Sequence, residues 1–185
     1  ITGCPGKCPW TKKESFFTFT TAVADFKCTM FINLSINGES KGLYVLEEGF
    51  GKELIERNKR RNGPIFGLDE DLNYSNINPV FEIYNKKFWA QTENKVIALS
   101  ASQKLRDFFD NKLEVKEVFD LEKWASYFAI VDLTGTWHGA LLKSVKFYYN
   151  PINGLFEPIP FDGHRFKPNF YKFNLKYDHK LVIDF

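Results

Sequence analysis

The sequence predicts an α+β fold in which an antiparallel hairpin comes first, helices follow, and a second hairpin closes the chain. Three observations carry this. Asn37-Gly38 stands between two strand-like runs, which is hairpin chemistry. Residues 95–111 and the stretch from Asp120 to Gly135 have helical apolar spacing. "SVKFYYNPINGLFEPIPFD" then reads as strand, turn and strand. Strands and helices do not alternate in a βαβ rhythm, which argues against a parallel sheet.

The elements follow in order. Residues 27–36 and 42–47 form the first hairpin, turning at Asn37-Gly38. Gly51 opens a helical stretch with Leu54 and Ile55 on one side, stopped by Gly63-Pro64. Its basic end, Lys59, Arg60 and Arg61, is expected to be solvated and to suit the helix dipole. "PIFGLDEDLNYSNINP" is a loop with a short strand inside it, and "PVFEIYNKKFWAQ" is expected to be extended. The helix over 95–111 places apolar residues at 96, 97, 99, 105, 108 and 109. The next helix starts with Asp120 as N-cap and Lys123 at the third position. It is apolar nearly all round after Trp124, so burial in the middle of the domain is expected. "TGTWHGALL" is a loop, and the last strand is expected to end at Asp162.

Composition narrows the function. A chain of 185 residues is one domain or a large piece of one, and 44% hydrophobic with 26% charged residues is globular rather than disordered. Twenty Phe imply a core of large rings and an aromatic-lined cleft. A net charge of +2 argues against nucleic acid or an anionic membrane as partner. No apolar run approaches the ~18 residues of a membrane helix. Phosphate-bearing ligands need only local charge and stay open. Cys4 and Cys8 make a CxxxC pair too small for a four-ligand zinc site; a disulfide between them stays open. Cys28, in an apolar run, is expected to be buried. The chain starts with Ile in a stretch that is not a signal peptide and ends on "KLVIDF"; truncation at both ends is expected.

"INGESKGLYVLEE" and "FDLEKWASYFAIVDLTGTWHG…VKFYYNPINGLFEPIPFDGH" resemble two segments of the spore-coat protein kinase (CotH) family, in the same order, over about residues 28–166. The resemblance implies a protein-kinase-like (atypical) fold: the last N-lobe hairpin at about 1–48, then a mostly helical C-lobe over 49–185 with a catalytic-loop hairpin. It implies ATP and Mg or Mn as cofactors and a Ser/Thr hydroxyl of a protein as substrate. Asp162 matches the metal-binding aspartate after the loop hairpin. A strand end followed by Gly163 suits a rigid oxygen ligand. Glu47 and Glu48 fall where the second strand leads to the adenine-binding connection, with Glu48 the better match.

The sequence departs from the family in the loop after the buried helix. Active members carry an aspartate and an asparagine there; "GTWHGALLKS" has neither. His138 stands near the expected base and can accept a proton near neutral pH. Lys143 or Ser144 stands near the asparagine. Trp137 reads as packing. His164 replaces a second acid and can ligate a softer metal beside Asp162. Asp132, inside the apolar helix, needs a partner if buried. Arg165 and Lys167 follow the Asp-Gly joint and are candidates to meet phosphates. The departures keep two rivals open: an inactive scaffold of the same fold, and a metal-dependent hydrolase using Asp162, His138 and His164.

Overall fold

The computed structural model describes residues 29–68, 80–141 and 144–161, without the side chains of Thr29, Thr92, Glu93 and Trp137. It is α+β with antiparallel sheets. Strand β1 (Thr29–Ile36) pairs antiparallel with β2 (Glu39–Glu47). Asn37 (φ 53°) and Gly38 (φ 85°) both take the left-handed region, as a two-residue primed turn requires. The register slips between Leu34 and Ser35, where Gly42 at φ 86° absorbs a bulge. Phe31, Leu43 and Val45 are exposed on this two-stranded sheet.

Helix α1 (Lys52–Arg57) is shorter than its sequence suggests. It ends at Asn58, and Lys59 then turns left-handed at φ 55°. The Lys59 and Arg60 amides donate to the Glu56 and Ile55 carbonyls, a Schellman closure without the usual glycine. The basic end is therefore not simply solvated: Arg60 donates to Glu157, which is 2% exposed, at 2.5 Å.

Strand β3 (Ile65–Leu68) pairs with β4 (Phe81–Ile83) on one side and with β5 (Lys146–Asn150) on the other; β6 (Leu155–Ile159) completes the order β4-β3-β5-β6. Only the first part of "PVFEIYNKKFWAQ" is extended. Asn85 turns left-handed at φ 58°, and helix α2 (Lys86–Trp89) follows.

Helix α3 (Thr92–Phe109) lies where periodicity puts it, and of the expected apolar positions Leu105 and Phe108 are buried and Ile97 and Phe109 pack partly buried against the core. Ala98, Ala101, Leu105 and Phe108 are buried, whereas Val96 and Leu99 are exposed. A short helix α4 (Val115–Val118) opens with Glu114 and Glu117 in a capping box, the Glu117 carboxylate accepting from the Glu114 amide at 2.8 Å. Helix α5 (Leu121–Thr134) starts at Asp120, whose carboxylate accepts from the Lys123 amide. It ends at Gly135, left-handed at φ 66°. Burial of α5 is one-sided. Trp124, Tyr127 and Val131 face the core, while Leu121 and Leu133 are exposed. Asp132 is exposed as well, so it needs no buried partner. The expected loop contains a 3₁₀ turn, Trp137–Ala140.

The core is aromatic, as the Phe content requires. Phe66, Phe147 and Phe156 meet with centroids 5.4–5.9 Å apart, and Phe119 joins Phe108 to Trp124. The Phe156 carbonyl accepts from the Trp124 indole N–H at 2.9 Å and the Asp120 amide at 3.0 Å, docking the start of α5 on β6. Buried Glu157 is a hub. Besides Arg60 it takes Lys123 at 2.6 Å and the Asn150 side-chain amide at 2.8 Å. Cys4, Cys8 and Cys28 lie outside the described residues.

Candidate functional site

Three segments converge: the β2–α1 connection, the 3₁₀ turn, and the chain leaving β6. The Phe161 carbonyl rests directly on Gly139. A Cβ placed there would come within 1.8 Å of that oxygen, so only glycine lets the two backbones meet. His138 precedes this contact, and its Nδ1 is enclosed away from solvent. The Tyr127 hydroxyl lies near the same glycine. Burial pushes the Tyr127 phenol well above its ordinary pKa, so it stays a neutral O–H.

The Phe161 ring meets Phe50 edge-on at 5.0 Å, and Phe50 meets Tyr84 at 4.8 Å. This row ties the β2–α1 connection to the end of β6. Beside it opens a small cleft of about 20 Å³, lined by Phe50, Lys52, Ile55, Tyr84, Phe88 and Trp89 among others.

Glu47 is exposed at the end of β2. Glu48 is largely buried and gripped by Arg57 of α1, whose Nε reaches both carboxylate oxygens at 3.1 and 3.2 Å while an Nη donates at 2.7 Å. Glu48 thus fixes the angle at which β2 enters α1. Ser144 is buried, and its amide donates to the Leu141 carbonyl at 2.9 Å. Asp162, His164, Arg165, Lys167 and Lys143 lie outside the described residues.

The sequence reading missed Lys146. It stands at the start of β5 and is 6% exposed. Its register partner is Gly67 of β3. A Cβ on Gly67 would lie 3.0 Å from Lys146 Cδ and 3.0 Å from the Tyr84 ring and hydroxyl, so the glycine makes room for the lysine stem. The ammonium lies 5.9 Å from the Tyr84 centroid and 5.9 Å from that of Phe161. The signal was present: a lysine inside "VKFYY" has apolar neighbours on both faces of the strand.

Among the described residues, no three of His, Cys, Asp and Glu gather as a metal ion would require. The groups they bring near the convergence include the Lys146 ammonium, the His138 imidazole and the Glu48–Arg57 pair.

Comparison with known proteins agrees with this chain's motifs. The family model described as "CotH kinase protein" matches residues 18–165. The chain belongs to the CotH kinase family. No curated protein matches it.

Proposed function

We propose that this domain binds ATP in the aromatic cleft beside the β2–α1 connection, and that it acts as a binding module of the kinase-like class rather than as a phosphoryl-transfer enzyme. Membership of a kinase family supports the nucleotide. One observation carries the second half. The segment Gly135–Val145, which joins α5 to β5 and should supply a substrate-positioning acid and a metal-holding amide, contains neither. Its titratable group at the convergence is His138, with Nδ1 enclosed.

The transfer reading keeps one observation of its own. The Gly139–Phe161 contact joins the His138 turn to the strand exit that leads, in sequence, to Asp162. In that reading His138 accepts the proton of a protein Ser/Thr hydroxyl, and Asp162, with His164, would hold Mg or Mn, which would supply neutralisation of the phosphate charge.

The test is thermal unfolding of the full reading frame with ATP, followed by incubation with γ-labelled ATP and Ser/Thr-rich peptides. Ligand at a hundred times its dissociation constant should stabilise the fold by roughly 2.7 kcal/mol. Stabilisation without label transfer supports the binding module. Transfer that Asp162→Ala abolishes overturns it in favour of the enzyme. Stabilisation by metal alone, with no effect of ATP, would favour the hydrolase instead.

A further inference from the structure

We infer that Asn62 reads the base of the bound nucleotide, selecting adenine over guanine at the mouth of the aromatic cleft. The inference rests on the ATP-binding reading and adds to it the group that chooses the base.

Asn62 lines the cleft and is half-buried. Among the described residues, none hydrogen-bonds its side-chain amide. Its identity has no evident backbone cause either. Asn85, which shares the cleft, is exposed and left-handed at φ 58°, a conformation that asparagine tolerates better than most residues. Asn62 lies outside that region, and the C-cap of α1 is Asn58.

The backbone on both sides of Asn62 is pinned to β5. The Arg61 carbonyl accepts from the Tyr148 hydroxyl at 2.5 Å. A Cβ on Gly63 would collide with the Tyr149 carbonyl, and the Pro64 carbonyl accepts from the Tyr149 amide at 2.9 Å. The Asn62 carboxamide is thus presented from a fixed backbone beside the rings of Phe50, Tyr84, Phe88 and Trp89. A group placed before the ligand arrives loses little freedom on binding.

Stacking and hydrogen bonding then divide the work. Every base has a π-face, so the rings hold any of them alike. The enclosed space of about 20 Å³ admits about one small polar group, so a purine would enter by its edge. The N6/N7 edge of adenine offers one donor and one acceptor, which a carboxamide matches with its carbonyl and its amino group. The same edge of guanine offers O6 and N7, two acceptors, and leaves the carboxamide carbonyl facing one of them. Lys52, the charged residue at the cleft, is exposed and pairs with Glu56 at 3.1 Å.

The experiment measures the affinities of ATP and GTP, in one buffer of fixed metal and salt, for the full reading frame as wild type, Asn62→Ala and Asn62→Asp. Wild type should favour ATP by about ten-fold or more, the scale of one bidentate base contact. Asn62→Ala should lose that preference through ATP, with GTP affinity within about two-fold of wild type. Asn62→Asp, which can only accept, should move the ratio further toward GTP, whose N1–H and N2–H both donate. A preference for ATP that Asn62→Ala keeps in full overturns the inference, as does a wild type that does not favour ATP; both leave the ATP-binding reading standing. Binding of neither nucleotide overturns the ATP-binding reading itself, and this inference with it. The ratio is taken within each protein, so it survives partial unfolding, and the nearly isosteric Asn62→Asp decides should Asn62→Ala fail to fold.

Discussion

The Phe161 carbonyl lies against Gly139 so closely that a single methyl group at residue 139 would overlap it. This contact is backbone to backbone, so no side chain can swing away to relieve it. Gly139→Ala should cost about 2 kcal/mol or more, in the range of overpacked cores, and should weaken any ligand-induced shift. Gly135→Ala is the control. Its Cβ would meet nothing within 4 Å, so only the left-handed strain at φ 66° remains, about 1–2 kcal/mol. Denaturant midpoints check both, and a Gly139→Ala variant as stable as wild type would contradict the contact.

Glu157 should be the most sensitive charged residue among those described. Glu157→Gln keeps the shape but leaves Arg60 and Lys123 beside a neutral group. Breaking a buried ion pair typically costs about 3–5 kcal/mol. Lys123→Met should cost far less, about 1 kcal/mol, because that side chain is 30% exposed and is also close to Asp120. Urea unfolding of the two variants should give that order.

Glu48 and Arg57 can be separated by a double-mutant cycle. If Glu48 acts by fixing the β2–α1 junction, Glu48→Gln and Arg57→Met should weaken ATP binding equally, and the double variant no further, with a coupling of about 0.5–3 kcal/mol. An ATP effect confined to Glu48→Gln would mean that the carboxylate meets the nucleotide itself.

Trp124→Phe retains most of the ring but loses the indole N–H that donates to the Phe156 carbonyl. That carbonyl keeps the Asp120 amide, so the loss should stay near the lower end of the range for a disrupted buried hydrogen bond, about 1 kcal/mol. Trp124→Ala should cost about 3–5 kcal/mol by emptying the core between Phe119 and Phe147. Thermal melts of the two variants test the difference.

Elements set by neighbouring residues were readable in the sequence. The Asn37-Gly38 turn and the Asp120 cap rest on chemistry within four residues, and both are present. The face of α3 was readable in part: Ile97, Leu105, Phe108 and Phe109 turn to the core as periodicity predicts, whereas Val96 and Leu99 are exposed and Ala98 and Ala101 are buried instead. Nor was the fate of Arg60, because Glu157 lies 97 residues away. The same limit hid much of the candidate site. Glu48 and His138 could be nominated from the family's motifs, but Lys146 takes its meaning from Gly67, Tyr84 and Phe161, none of them near it in the chain. Asp162 and His164, nominated from sequence, lie outside the described residues.

The sheet order also sets a sequence of events in folding. The β5–β6 hairpin closes over a four-residue turn and can form early. Joining β3 to β5 requires a closure on the scale of the 87 residues between Arg61 and Tyr148. The entropy of such a closure is spent before its contacts repay it, which slows the step. The pocket for the Lys146 stem exists only once Gly67 lies across from it. The Lys146 ammonium should therefore stay in water until that late pairing is made, and its burial should report the slowest phase of folding.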